Sequence, residues 1–293
     1  MTNSKMKKRY QKWAFIFTLP NIILFILFFA IPAILGIALS FTNYNGFKMM
    51  DFIGLKNYID LFNDEKFYRI LFQTILYVIC VVPLIYVSSL LTALLFTSKH
   101  LVFKSMTRVL VYMPTLFSTV MVGLTWRWIF GEKFGLVNHI IVSMGYEPIS
   151  WSINPQAAFI TTLVAFVWAS TGFFMLIFIG GIENIDPLLY EAATIDGANS
   201  IDKLFYITIP QLKPITLLVI VLNTINAFKV FAVVVSLTNG GPGYKTTYMI
   251  QYIYQTGFER SKIGYASAVS MVMFVILLIL SLVQFKINNR KEG

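Results

Sequence analysis

The sequence predicts an all-α membrane protein with six transmembrane helices, and three observations support this prediction. Hydrophobic residues make up 57% of the 293 residues and charged residues only 12%, against about 25% charged residues in a soluble domain. The mean hydropathy is +0.74. The apolar residues also fall into six runs of about 18 residues or more, long enough to cross roughly 30 Å of hydrocarbon as helices.

The six runs are the predicted spans, and none of them alternates polar with apolar residues as a membrane strand does. Only the fifth run is interrupted by a charge, that of Lys229. In chain order, the runs cover Ala14 to about Leu39, Ile70 to Phe96, the stretch between Arg108 and Arg127, Ala157 to about Ile182, Pro214 to about Leu237, and the stretch between Lys262 and Lys286. We predict a single transmembrane domain over residues 1–293.

The first run follows a basic cluster, as the apolar core of a signal peptide does. The basic residues are Lys5, Lys7, Lys8, Arg9 and Lys12. The run is too long for a signal peptide, however, and it shows no Ala-x-Ala cleavage site. We therefore expect it to be retained as the first transmembrane helix.

The distribution of lysine and arginine predicts the orientation, because these residues concentrate in cytoplasmic connections. With the N-terminus inside, the inside segments hold thirteen basic residues and the outside segments hold eight. The inside segments are 1–13, 97–108, 183–213 and 286–293, and the outside segments are 41–69, 131–156 and 238–262. The dense N-terminal cluster favours this arrangement, so both termini are predicted to be cytoplasmic.

One predicted inside segment, 183–213, departs from the charge pattern. It carries two basic residues and five acidic ones, namely Glu183, Asp186, Glu191, Asp196 and Asp202. Its composition therefore reflects something other than topology, and a functional site is expected there.

Local signals in this segment predict two short helices outside the membrane. Asp186 followed by Pro187 is typical of a helix start, with Asp as the N-cap and Pro at the first helical position. Two turns through Ile195 are expected to end at Gly197, which can adopt the left-handed conformation. A second short helix is expected from Ile201 to Tyr206, capped by Ser200, before Pro210 and Pro214 interrupt the chain.

These residues resemble the cytoplasmic "EAA" loop of binding-protein-dependent ABC importer permeases. The matching stretch is Glu191-Ala192-Ala193-Thr194-Ile195-Asp196-Gly197-Ala198, followed by Ile207-Thr208-Ile209-Pro210 and Pro214. The family pattern is E-A-A-x-x-D-G-A and then I-x-L-P. The second helix has Ile201 where the family often has an aromatic residue.

Other stretches are similar to the carbohydrate branch of this family, the maltose- and glycerol-phosphate-type permeases. They are Leu237-Thr238-Asn239-Gly240-Gly241-Pro242-Gly243, Gly264-Tyr265-Ala266-Ser267-Ala268, Gly54-Leu55-x-Asn57-Tyr58, and Trp126-x-Trp128 with Gly135-Leu136-x-Asn138. The resemblance covers nearly the whole chain. One departure is Phe231-Ala232, where many members carry Phe-Asp.

The resemblance implies that the loop docks in a cleft of a cytoplasmic ATPase subunit. Two ATPases that close on ATP would draw two such loops together and turn the cavity outward. Glu191 is then expected to hold the loop in the cleft of the ATPase subunit, and Gly197 is expected to form the bend that ends the first short helix. The remaining coupling positions are expected to permit close packing or to meet basic or backbone partners: Ala192, Ala193, Asp196 and Ala198.

The resemblance also implies a complex in a bacterial inner membrane, surrounded by lipid. Its expected parts are two ATPase subunits, this chain, a second and related permease subunit, and an extracytoplasmic sugar-binding protein. The external loop 238–262 either docks the binding protein or is a plain surface turn.

The chain itself is predicted not to be an enzyme. It contains no G-x-x-x-x-G-K-[ST] motif to hold ATP phosphates, so ATP is expected on the partner subunits and no cofactor or metal on this chain. No Ser/His/Asp set or carboxylate pair has catalytic spacing. The net charge of +10 lacks the clustered basic face of a nucleic-acid site, so no nucleic acid is expected as a partner.

The fourth and fifth runs offer candidates for the substrate path, because sugars are held by aromatic faces and hydrogen-bonding groups. The candidates are Phe166, Trp168, Ser170 and Phe173 in the fourth run, and Asn223, Asn226 and Lys229 in the fifth. We predict that Asn223 and Phe173 face a shared path. For each candidate the alternative is simple helix packing, and for Lys229 it is a side chain that reaches outward to the membrane surface.

The sequence alone leaves three alternatives to a sugar importer permease. One is a permease for another solute, such as a glycerol phosphate or an amino acid. A second is an ion-driven secondary transporter, which would need membrane-buried acids that the six runs lack. The third is a membrane enzyme, for which no catalytic constellation is present.

Overall fold

The computed structural model of the chain describes residues 2–47, 50–98 and 103–289. Within these ranges the backbone is helical apart from its connections, and the extended pairing consists of one isolated bridge between Thr42 and Phe52. The predicted all-α fold is confirmed. Parts of the predicted inside segments 97–108 and 286–293 lie outside the described residues, as do the side chains of the N-terminal basic cluster.

The helices α1 to α8 occupy the first two thirds of the chain: Thr2–Phe25, Ile31–Ser40, Lys56–Phe62, Glu65–Thr97, Lys104–Tyr112, Thr119–Ile129, Leu136–Ser143 and Pro155–Glu183. A π-helical segment, Ile26–Ala30, joins α1 to α2. The helices α9 to α15 follow: Pro187–Ile195, Ser200–Lys203, Ile209–Gln211, Lys213–Phe228, Ala232–Thr238, Met249–Tyr254 and Ile263–Asn289.

Four helical stretches are long and apolar enough to cross a membrane: Trp13–Ser40, α4, α8 and Ile263–Ile287. Two more spans arise if each bent helix pair counts as one. These pairs are Lys104–Leu116 with Thr119–Ile129, bent by 101°, and Ser200–Gln211 with Lys213–Phe228, bent by 67°. The described residues therefore contain between four and six candidate spans, against the six predicted.

The third and fifth apolar runs are not continuous helices, which corrects the sequence prediction. In the third run, α5 gives way to a 3₁₀ turn at Met113–Leu116 that contains Pro114, and Phe117 is extended. In the fifth run, α12 ends at Phe228 and α13 begins only at Ala232. Hydropathy reports how apolar a run is and does not report whether its backbone is one helix, so neither break was predicted.

The chain forms two compact units. The smaller unit comprises Met1–Asp64 with Ile253–Val275, and the larger comprises Glu65–Tyr252 with Ile276–Gly293. In the smaller unit the buried Asn57 amide donates to the carbonyl oxygens of Ser40 and Thr42, both at 2.8 Å. The Gly-Leu-x-Asn-Tyr stretch is therefore a structural clamp that fixes the connection after α2.

The larger unit is built around α4 and α8, which touch at several levels. Tyr77 and Phe166 pack edge to face with ring centroids 6.1 Å apart, and the hydroxyls of Ser88 and Thr171 lie 2.8 Å apart. Beside this pair, α12 packs on α4, and α6 packs on α13. This core positions both the loop after α8 and a cavity beside α8.

Candidate functional site

The loop after α8 begins with α9, whose predicted start is confirmed. Asp186 Oδ1 accepts a hydrogen bond from the Leu188 amide at 2.9 Å, and Pro187 occupies the first helical position. The predicted end is also confirmed, because Gly197 has φ of +80°. The Ala198 amide then donates to the Ala193 carbonyl at 2.8 Å, which closes the helix end.

The second helix is capped by Asn199 and not by Ser200, which corrects the prediction. Asn199 Oδ1 accepts hydrogen bonds from the amides of Ile201 at 2.8 Å and Asp202 at 3.0 Å. Asp202 Oδ2 accepts in return from the Asn199 amide at 3.0 Å. This reciprocal capping box satisfies more amides than a Ser200 cap would. The helix α10 ends at Lys203, and a π-helical segment, Leu204–Thr208, follows it directly.

The two short helices are tied together into one unit, which we call the coupling loop (residues 183–213). Lys203 Nζ donates to Thr194 Oγ1 at 2.8 Å, and the hydroxyls of Tyr190 and Thr208 lie 2.9 Å apart. These bonds fix the angle between the helices, so the loop presents a defined surface.

That surface is apolar as well as acidic. The side chain of Ile195 is 87% exposed and that of Tyr206 is 81% exposed. Glu191 is also exposed, and it takes part in no ion pair within the described parts of the chain. Of the other predicted coupling residues, Ala192, Asp196 and Gly197 are exposed, and Ala193 and Ala198 are half-buried. Exposed side chains of this kind are available to a partner.

A cavity of about 300 Å³ lies beside α8 in the larger unit, at the lower end of the size range of ligand pockets. Four of the predicted path residues line it: Phe166, Ser170, Phe173 and Asn226. The bent connection between α5 and α6 completes the wall with Tyr112, Thr115 and Phe117. The lining therefore combines aromatic rings with hydroxyl and amide groups.

The other three candidates lie elsewhere. Asn223 is fully buried, and its amide donates to the Val82 carbonyl on α4 at 3.1 Å. This contact favours the packing alternative for Asn223 over the path that it was predicted to share with Phe173. Trp168 packs edge to face on Trp126 with ring centroids 5.7 Å apart. Lys229 is exposed just after the end of α12.

Sequence reasoning missed the contribution of the third run to this cavity. The available signal was Pro114, because a proline in the interior of a helix removes a backbone hydrogen bond and kinks or breaks the helix. A second missed residue is Gly172 on α8, where a Cβ atom would collide with the Val111 carbonyl oxygen and lie 2.7 Å from Tyr112 Cα. The absence of a side chain at Gly172 thus lets α5 approach α8 closely enough to form the cavity wall.

The Gly-Gly-Pro loop, residues 238–248, has a fixed conformation. Thr246 Oγ1 donates to the Gly241 carbonyl at 2.7 Å, and Thr247 Oγ1 donates to the Gly240 carbonyl at 3.1 Å. Lys66 Nζ lies 3.9 Å from the centre of the Tyr244 ring, a cation–π contact that holds the loop against the start of α4. The loop is therefore preorganised, whichever role it has.

Residues 62–292 match the family described as "Binding-protein-dependent transport system inner membrane component", and the chain belongs to this family. The family predicted from the coupling loop is confirmed. Membership favours the binding-protein-dependent importer over the ion-driven transporter and the membrane enzyme.

Curated relatives align with almost the whole chain. The Arabinooligosaccharides transport system permease protein AraP of Bacillus subtilis (strain 168) is 32% identical over 288 residues, covering 97% of this chain and 91% of the relative. The Trehalose/maltose transport system permease protein MalF of Thermococcus litoralis is 31% identical over 287 residues, covering 98% and 97%.

The fold also matches a solved structure. A chain in the crystal structure of a bacterial ABC transporter involved in the import of the acidic polysaccharide alginate aligns with a TM-score of 0.84, over 98% of each chain. The two sequences are 23% identical, so this likeness concerns the fold.

Proposed function

We propose that this chain is the permease subunit of an ATP-driven importer for a sugar or oligosaccharide. The observation that carries the proposal is the cavity lining, in which Phe166 and Phe173 lie beside Ser170 and Asn226. Aromatic faces suit the C–H surfaces of a sugar ring, and the hydroxyl and amide groups suit its hydroxyls. The relatives named for arabino-oligosaccharides and for trehalose and maltose support the same substrate class.

The coupling loop is the proposed dock for a separate ATPase subunit. Support comes from its exposed Ile195 and Tyr206, which give an apolar surface, and from the unpaired carboxylate of Glu191 among the described residues. ATP is bound and hydrolysed by that partner, because this chain contains no phosphate-binding loop. This chain binds no cofactor in the proposed cycle.

The proposed complex has two permease subunits, two ATPases and an extracytoplasmic sugar-binding protein. The second permease is a related chain, and the binding protein docks on the preorganised loop 238–248. Preorganisation supports this role because it lowers the entropic cost of docking.

The proposed orientation places both termini and the coupling loop in the cytoplasm. The excess of lysine and arginine in segments 1–13, 97–108 and 286–293 supports it. If a substitution at Glu191 changes ATP hydrolysis, the coupling loop must lie in the cytoplasm, because ATP is available only on that side.

Asn226 and Asn223, one helical turn apart on α12, provide the test of the cavity assignment. Asn226 lines the cavity, and Asn223 is its control. Asn226→Ala should raise the apparent KM for the sugar by about 2- to 13-fold, which corresponds to one lost hydrogen bond of about 0.5–1.5 kcal/mol. Phe173→Ala should also raise the KM because a stacking surface is removed. The sugar-independent ATPase activity of the reconstituted complex should be unchanged in both variants.

The matched control is Asn223→Ala, on the same helix but hydrogen-bonded to α4. It should lower the amount of assembled complex and leave the KM of the remaining complex at the wild-type value. On α8 the control is Leu176→Ala. The side chains of Leu176 and Phe173 have similar exposed fractions, but Leu176 does not line the cavity. Wild-type KM and sugar preference in both Asn226→Ala and Phe173→Ala would refute the assignment.

A further inference from the structure

Arg108, in the middle of α5, connects this helix to the C-terminal ends of α4 and α8. Its Nη2 donates to the Phe96 carbonyl in the last turn of α4 at 3.0 Å. The same nitrogen lies 3.2 Å from Oε1 of Glu183, the last residue of α8. These two residues are separated by 75 positions in the chain, so the contact is tertiary.

The position of Glu183 is unfavourable for α8 alone. A carboxylate at the C-terminal end of a helix is repelled by the negative end of the helix dipole. Local helix stability therefore does not explain the residue, and a nearby cation is needed to offset the repulsion. Arg108 provides that cation from another helix.

The pair also contributes little to the stability of the protein. The side chain of Arg108 is 30% exposed and that of Glu183 is 57% exposed, and ion pairs with this exposure are screened by water. Removing the pair should therefore leave the protein folded, so that its effect on the relative position of α5 and α8 can be measured in intact variants.

Each residue of this ion pair lies close in sequence to one functional region: Glu183 to the helices of the coupling loop, and Arg108 to the cavity wall. Glu183 lies three residues before Asp186, the N-cap of the first coupling helix. Arg108 lies one turn before Tyr112, which lines the cavity with Thr115. Between them, the close approach at Gly172 leaves no space between α8 and the backbone of α5. A displacement of the coupling loop can thus reach the cavity wall through α5.

We propose that Arg108 is a positioning residue that, through its ion pair with Glu183, transmits movement of the coupling loop to the cavity wall formed by the α5–α6 connection. This proposal rests on the proposed function, because it assumes that an ATPase moves the coupling loop. It adds a specific mechanical link between Glu183, α5 and the cavity.

The test follows the cavity wall directly and does not require the sugar to be known. Cys80 is the only cysteine in the sequence, so in a Cys80→Ser background Thr115→Cys places a single thiol on the cavity wall. The rate of its reaction with a soluble thiol reagent is measured in the purified complex with its ATPase partner, without nucleotide and with ATP plus vanadate. The pair should transmit the nucleotide state, so ATP plus vanadate should change the rate several-fold.

Arg108→Gln and Glu183→Gln should each remove most of this response, while the complex still assembles and hydrolyses ATP. The double variant should respond like either single variant, because the two residues act as one unit. The control is Lys104→Gln, which removes a positive charge from the same helix and should keep the full response.

Several outcomes would overturn the proposal: a full response in Arg108→Gln or Glu183→Gln, additive losses in the double variant, an equal loss in Lys104→Gln, or no response in the parent protein. Sugar uptake by the same preparations is a separate measurement. A nucleotide response that depends on Arg108, in a complex that imports no sugar, would support this inference and contradict the proposed function.

Discussion

Gly172→Ala should abolish transport and lower the thermal stability of the complex. The added Cβ would collide with the backbone of α5 at Val111 and Tyr112, and a backbone atom cannot be displaced by a change of rotamer. Forcing extra volume into a packed contact costs about 1–3 kcal/mol. The cavity wall beside Tyr112 must therefore shift. Uptake and the melting temperature, measured at equal expression, check both effects.

The control for this prediction is the same substitution two turns later on the same helix. Gly180 has no atom within 4 Å of the position that a Cβ would take. Gly180→Ala should therefore leave transport intact and stabilise α8 by about 0.5–1 kcal/mol, because alanine favours the helix more than glycine. Equal behaviour of the two variants would show that the close approach at Gly172 has no functional role.

Glu191→Ala and Gly197→Val should uncouple ATP hydrolysis from transport. Glu191 makes no ion pair within the described residues, so its loss should affect the partner and not the fold of this chain. Gly197 has φ of +80°, which a β-branched residue strongly disfavours. Uptake should fall to background in both variants, and sugar should no longer stimulate the ATPase, although the subunit still inserts.

The control for Gly197→Val is Gly145→Val, which introduces the same backbone strain outside the coupling loop. Gly145 has φ of +86° and open space around it, as Gly197 does, but it lies in the predicted outside segment 131–156. It should carry the same local strain and retain coupled transport. Full uptake by Glu191→Ala and Gly197→Val at equal expression would contradict the assigned role of the coupling loop.

The features predicted correctly from the sequence are those with local causes. Hydropathy identified the apolar runs, because the membrane selects for apolar composition over about 20 consecutive residues. The limits of α9 followed from Asp186, Pro187 and Gly197, whose capping roles depend on a few neighbouring residues. The error at Asn199 was also local, since the capping box with Asp202 could have been recognised in the sequence.

The features that were missed depend on contacts between distant parts of the chain. Asn223 and Asn226 have the same chemistry and nearly the same position on α12. Which of them faces the cavity depends on how α12 is rotated against α4, where Val82 accepts the Asn223 amide. The pairing of Arg108 with Glu183 and the close approach at Gly172 likewise have no signal in the local sequence.

The central claim is that this chain forms the path of a sugar importer, and uptake by cells that carry or lack the gene tests it most directly. The panel should contain arabino-oligosaccharides, maltose, trehalose and lactose, together with a glycerol phosphate and an amino acid for the alternative substrates. We predict that deletion abolishes the energy-dependent uptake of at least one sugar, and that the wild-type gene restores it while the Glu191→Ala gene does not. Unchanged uptake of every sugar after deletion, or loss confined to the glycerol phosphate or the amino acid, would contradict the claim.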